Sequence, residues 1–238
     1  MSNAVMLEAY VTNLGRYNEG HLDGEYLKLP TTTEEVQALL KRIHVDGIQY
    51  EEIFITDYDT NLAGMQNLGE YESIDELNYL ATLISDMDDG ELEKFEAAAV
   101  YGDNSGSVKD LINLAQNLDC YDFLPDLADN DDLGRYLIEE MGFEEVPERL
   151  TNYIDFEAYG RDFAINESGD FVDGGYIWRG YGSMTEYYDG RDIPEEYCIF
   201  SYPTPEKQLI RETLKEMQKL VDEAAVTPHA RTPVREER

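Results

Sequence analysis

Asp57 and Asp59 are the simplest pair in this sequence that could do chemistry. Two residues apart on a strand they share a face, and paired carboxylates can divide general-acid and general-base work. A calcium loop is the next candidate. With Asp129 at its first position, Asp131 falls third, Gly134 sixth and Glu140 twelfth. The fifth position, however, is Leu133, which has no oxygen to offer, and residues 131–141 read as continuous helix. Asp86, Asp88, Asp89 and Glu96 fail in the same way, because Gly90 sits in the wrong register. His21, His44 and His229 make no H-x-x-x-H or H-E-x-x-H pair. Cys120 and Cys198 lie 78 positions apart and read as small buried hydrophobes rather than nucleophiles. No phosphate-cradling loop, nucleophile elbow or dinucleotide fingerprint is present. The expectation is a protein that is not an enzyme and takes no metal or cofactor.

Carboxylate density is the stronger signal. The chain has 238 residues, 18 Lys plus Arg against 52 Asp plus Glu, and a formal net charge of -34. Residues 1–200 hold 11 basic and 45 acidic side chains, whereas 201–238 hold 7 of each. Hydrophobic residues at 42%, with 18 Tyr and 8 Phe, exclude a disordered acidic tail. The charge repels phosphate, so neither nucleic acid nor an anionic membrane is an expected direct partner. No apolar run is long enough to span a membrane, no leader is visible, and the cysteine usage fits a reduced, cytoplasmic protein.

Eleven acids and one base, Arg135, lie between Asp119 and Glu148. Six acids and one lysine lie between Asp86 and Glu96. Helices with opposite apolar faces would gather these charges into stripes. A solvated face, high-salt life, cation storage and a strongly basic partner are the readings open to such stripes. The neutral C-terminal segment, with Lys207, Arg211, Lys215 and Lys219, weighs against high-salt adaptation. Duplex DNA carries one charge per ~1.7 Å, so thirty-four charges match roughly 58 Å, or about 17 base pairs. An elongated acidic protein could therefore occupy a DNA-binding cleft.

The elements that would position these charges follow from local pattern. Residues 7–13 and 25–29 read as strands with a Gly- and Asn-rich loop over 14–24 between them, and 51–58 as a third strand. Thr32-x-x-Glu35 caps a helix carrying Val36, Leu39, Leu40 and Ile43. After a loop over 60–70, three short helices follow, capped at Ser73, opened at Gly90 and capped at Ser107. A helix over 131–141 stops at Gly142, and Pro147 starts another carrying Leu150, Tyr153 and Ile154. Residues 163–166 and 171 onward flank Glu167-Ser168-Gly169-Asp170 as a predicted β-hairpin, in an α/β unit closing near 203. Ile210, Leu214, Met217, Val221 and Ala224 form a helical stripe, and 227–238 read as a disordered tail. The expected fold is α+β: units over 1–70, 71–118 and 119–203 in an elongated row, then an extension over 204–238 with an amphipathic helix.

Tyr10-Val11-Thr12-Asn13-Leu14-Gly15-Arg16-Tyr17-Asn18-Glu19-Gly20 resembles the opening of the ArdA-type antirestriction proteins carried by mobile elements. Further similarity follows in order: Asp57-Tyr58, Ser73-Ile74-Asp75-Glu76-Leu77-Asn78, Tyr136-Leu137-Ile138-Glu139-Glu140 and Val146-Pro147. Leu150, Asn152-Tyr153-Ile154-Asp155 and Ala158-Tyr159-Gly160-Arg161-Asp162 complete it. The resemblance implies three small domains in a curved row and a homodimer formed through the third. It implies a DNA mimic that occupies the groove of type I restriction-modification enzymes, at the methyltransferase core. Restriction, and often modification, would be blocked without turnover.

On this reading Glu34, Asp75, Glu76, Asp86, Asp88, Asp89, Glu91, Asp126, Asp129, Asp131, Asp132, Glu139, Glu140, Glu144 and Glu145 stand in for phosphates. The family's antirestriction motif, near its dimer contact, maps to Gly134, Tyr136, Leu137, Ile138, Val146 and Pro147. An acidic module for some other basic DNA-binding protein is the alternative.

Overall fold

Leu7, Ala9 and Val11 alternate with Glu8 and Tyr10, and this period of two builds the central strand of the first sheet. The computed structural model describes residues 6–204 together with Leu214, Met217 and Gln218. The described residues form a mixed α+β structure with two small antiparallel sheets. In the first, β1 (Leu7–Asn13) lies between β2 (Gly24–Leu29) and β3 (Ile53–Thr60). The inward row of Leu7, Ala9, Val11, Leu27, Leu29 and Ile55 is covered by Val36, Leu39 and Leu40 of α2 (Thr33–Arg42). Each such large side chain contributes ~1.5–3 kcal/mol on burial.

The stretch expected as loop after β1 begins with a short helix, α1 (Leu14–Asn18). Buried Asn13 explains it. Its side-chain oxygen accepts the Arg16 N–H at 3.0 Å, and its amide donates to the carbonyls of Ile43 (3.0 Å) and His44 (3.1 Å). Strand β3 starts two residues later than the sequence suggests. The loop after it protects its edge: the Ile55 N–H donates to the Glu70 carbonyl at 2.7 Å, and the Tyr58 hydroxyl to that of Gly69 at 2.8 Å.

Helices α3 (Ile74–Ser85), α4 (Asp89–Tyr101) and α5 (Val108–Ala115) extend the same core with Leu77, Leu80, Ile84, Phe95, Leu111 and Ile112. Ser73 and Ser107 cap as expected. The reciprocal capping box lies instead at Asp88 and Glu91, starting two residues before the glycine expected to open α4.

The second sheet has the order β4 (Tyr121–Pro125), β6 (Gly175–Arg179), β5 (Asp170–Val172). The helix expected over 131–141 divides into α6 (Asn130–Arg135) and one π turn at Tyr136–Glu140, and Gly142 follows with φ 66°. After Pro147 comes a 3-10 turn, Glu148–Tyr153. The predicted hairpin around Glu167–Asp170 is overturned: Phe156–Glu167 is a helix, α7, ended by Ser168 in the left-handed conformation. The true hairpin joins β5 to β6 through Asp173 and Gly174.

The reason lies in a backbone contact. A Cβ on Gly134 would collide with the Phe156 carbonyl, and one on Gly160 with the Asn130 carbonyl, so α6 and α7 meet at their glycines. The inward row of α7 is Phe156, Gly160, Phe163 and Ala164, and the glycine hides that helical period from a hydrophobicity reading. A small second core of Leu124, Leu133, Leu137 and Tyr176 lies beside this contact.

Residues 181–204 run back across α5 and α3 to the segment before β3, held by asparagines that substitute for a strand partner. Asn113 accepts the N–H groups of Tyr187 (2.8 Å) and Tyr188 (3.0 Å) and donates to the Tyr188 carbonyl (2.8 Å). Asn117 accepts from Thr185 N–H and donates to its carbonyl, at 2.8 and 2.9 Å. The Tyr202 hydroxyl donates to the Glu51 carbonyl at 2.8 Å. Asn113→Leu keeps the number of side-chain heavy atoms but strands three backbone groups, so it should cost ~2–3 kcal/mol in urea unfolding. A loss below about half a kcal/mol would refute the strap's dependence on Asn113.

Tyr188 also responds to pH. Its hydroxyl donates to Glu76 at 2.7 Å, and burial together with that carboxylate holds its pKa far above the ordinary tyrosine value. A raised folded-state pKa means stability is complete below pH ~10 and declines as pH climbs toward the folded value. Alkaline titration of Tyr188→Phe should show a smaller loss above pH ~10 than the native chain, and an identical loss would count against the assignment. The stripe expected on 204–224 and the tail 227–238 lie outside the described residues, apart from exposed Leu214 and Met217, and Gln218.

Candidate acidic interface

Helix N-termini gather much of the charge. A first turn leaves backbone N–H groups without partners and carries a partial positive charge, so carboxylates are favoured there. Glu34 lies exposed in the first turn of α2. Exposed Asp88 caps α4, accepting from Glu91 N–H at 2.9 Å, while the Glu91 carboxylate accepts from Asp88 N–H at 3.0 Å. Asp86 and Asp89, also exposed, flank that cap. The α3–α4 junction thus holds four of the expected acids, all exposed.

A second group surrounds the start of α6. Asp129, the first position of the rejected calcium loop, is a helix cap whose Oδ1 accepts from Asp131 and Asp132 N–H at 2.9 and 3.0 Å. Asp132 Oδ2 accepts from Ala128 N–H at 3.2 Å. Asp131 pairs with Arg135 at 2.7 Å, one turn later, and so is partly neutralised. Exposed Asp126 has a left-handed backbone (φ 63°) after β4. Glu139, Glu140, Glu144 and Glu145 are all exposed. Glu139, Glu144 and Glu145 line a depression of about 690 Å³ with Ile138, Val146, Pro147 and Glu148.

Two expected members are engaged inward. Half-buried Asp75 accepts the N–H groups of Ile199 and Phe200, both at 2.7 Å, and half-buried Glu76 receives the Tyr188 hydroxyl. Both carboxylates fasten the 181–204 strap to α3. The motif residues divide similarly. Gly134, Leu137 and Ile138 are buried, Tyr136 and Val146 are half-buried, and Pro147 is exposed. Around them are exposed Met141, Phe143, Leu150, Tyr153 and Ile165, the most accessible being Tyr153 at 84%.

Asp57 and Asp59 do not converge on one groove. Both are exposed on β3, and the 460 Å³ groove beside that strand is lined by Asp57 but not Asp59. Cys120 is buried as expected, but Cys198 is exposed, because it follows a surface turn at Glu195–Tyr197 rather than a core strand. Sequence reasoning missed the inward Asn113 and Asn117. Asn117 follows Asn113 by four residues, just past the end of α5, and its amide donates to the Asn113 carbonyl at 2.7 Å; that spacing of four was the available signal.

Tyr176 is fully buried, and its hydroxyl has no hydrogen-bond partner among the described residues. Burial raises its pKa to about 12. Tyr176→Phe removes an unmatched polar group and should stabilise the chain by ~1 kcal/mol in thermal or urea unfolding; a loss of that size would reveal a partner.

No curated protein matches the chain. Residues 9–178 match the family model described as "Antirestriction protein (ArdA)". That span takes in nearly all of the first sheet, the capped helices and the glycine contact of α6 and α7, and the chain therefore belongs to the ArdA antirestriction family.

Proposed function

We propose that the protein inhibits type I restriction-modification enzymes as a DNA mimic, its exposed carboxylates standing where duplex phosphates would lie. The observation that carries this reading is the arrangement of acids at rigid helix starts. Asp86, Asp88, Asp89 and Glu91 at α4, and Asp129 and Asp132 at α6, are fixed by capped backbone rather than by loose loops. Fixed charges lose little order on docking, which favours complementarity with a basic groove. Asp75 and Glu76 are not counted in the strip, because both accept hydrogen bonds from the strap.

The exposed apolar residues of 141–165 are the proposed seat of a homodimer, which would double the length of the acidic surface. No phosphate-seeking basic face accompanies them, since Arg135, Arg149 and Arg161 are the only bases between 119 and 178. The chain acts by occupancy in this proposal, in the cytoplasm, where such enzymes meet DNA.

The test is competition between the protein and target DNA for a type I methyltransferase core at low salt. Displacement of the DNA is expected at a stoichiometric excess. Retained DNA at saturating protein would reject the proposal, and capture of a different basic DNA-binding protein in its place would favour the alternative partner.

A further inference from the structure

The first sheet has one fully packed side, whose side chains meet α2 and the helical layer. On the other side Thr12 and Phe54 are buried at one end, where Tyr17 and Tyr71 pack on Phe54, but Glu8, Tyr10, Tyr26, Lys28, Asp57 and Asp59 stay half-buried or exposed among the described residues. The register sets these residues in two rows across the strands. Tyr26, Tyr10 and Asp57 form one, and Lys28, Glu8 and Asp59 the next. Tyr10 and Tyr26 meet edge to face at 4.9 Å, and Tyr26 remains 40% exposed. The Tyr26 hydroxyl donates to Asp57 Oδ2 at 2.6 Å, which fixes the carboxylate beside the ring.

Charge decides what fits this face. Lys28 lies directly opposite Glu8, so those two offset each other across the strands. Asp57 and Asp59 form no ion pair with any described lysine or arginine. A flat aromatic surface beside an unmatched carboxylate suits a planar cation that stacks on the ring and donates two parallel N–H bonds. Arginine has that shape, and a lysine ammonium does not.

We propose that the open face of the first sheet receives arginine side chains of the protein's basic partner. Guanidinium groups would stack on Tyr26 and Tyr10 and bond to Asp57 and Asp59. The inference deepens the reading above and rests on it for the partner's identity, but not for the arginine chemistry. It gives Asp57 and Asp59 a recognition role in place of catalysis, and extends the binding surface beyond the helix starts.

The probe is a short capped peptide with two arginines in a glycine background, compared with its lysine counterpart at matched ionic strength. NMR of the full chain reads binding at each site separately. The arginine peptide should shift the ring signals of Tyr10 and Tyr26 and the amides of β1–β3, and bind there at least about threefold tighter than the lysine peptide. Asp57→Asn with Asp59→Asn should weaken that site at least about fivefold, leaving shifts near Asp86–Glu91 unchanged. Equal response of β1–β3 to both peptides, or no shift of the Tyr10 and Tyr26 ring signals, would overturn the proposal. If the double variant fails to fold, the arginine–lysine comparison in the native chain still decides. Arginine binding without DNA displacement from the methyltransferase core would sink the mimic reading and leave this one standing; the reverse result would do the opposite.

Discussion

Gly160→Leu is expected to destabilise the chain by ~3 kcal/mol or more, because the new side chain meets backbone rather than a movable side chain. The Cβ alone would strike the Asn130 carbonyl, and the Gly134 nitrogen lies next in line. Forcing α6 from α7 would also open the core of Leu133, Leu137 and Tyr176. The first sheet and α3–α5 belong to a larger cluster that also holds Tyr121 and Ile177 of the second sheet, so their amide signals should persist while those of α6, the π turn and α7 collapse. Gly134→Ala should cause a related loss. Because both glycines serve one contact, the double variant should cost less than the two single losses added. Denaturant unfolding with site-resolved NMR checks both statements. A Gly160→Leu chain within 1 kcal/mol of the native stability would show that the helices can separate freely.

The second large effect is electrostatic. Binding to a methyltransferase core should weaken by about a thousandfold between 50 and 200 mM salt, as expected when many phosphate-like contacts displace counterions together. No single carboxylate should account for it, and neutralising one exposed acid should change affinity no more than about fivefold. Four changes at the α4 start, Asp86→Asn, Asp88→Asn, Asp89→Asn and Glu91→Gln, should weaken binding about thirtyfold and flatten the salt dependence. Amide replacements preserve the cap, since Asn caps about as well as Asp and Gln serves at the third position. Unchanged circular dichroism would therefore separate lost charge from lost fold. Salt-independent binding, or undiminished binding by the fourfold variant, would remove the α4 acids from the interface.

Much of the first sheet and the helical layer was legible in the chain. Strand alternation at Leu7, Ala9 and Val11 and the serine caps at Ser73 and Ser107 are local signals, each decided within a few residues. The cap of α4 was harder to see. Asp88 sits among several acids that could each serve, and only the reciprocal bond to Glu91 picks it out. Helix α7 was misread because Tyr159, Phe163 and Ile165 favour strands by type, while its deepest contact is made by a glycine with no side chain to register.

The candidate surface divides along the same line. Composition and position alone determined that the charge belongs to residues 1–200, and motif residues from Tyr10 to Asp162 determined the family. Neither could tell an outward carboxylate from an inward one, because Asp75 and Asp88 are both acids at helix starts. Tertiary structure decided it. The strap returns from more than a hundred residues away to donate two N–H groups to Asp75, whereas Asp88 meets only its own helix and stays exposed to water. Charge is a property of the residue, but its availability depends on which distant backbone donors the fold brings within hydrogen-bond reach.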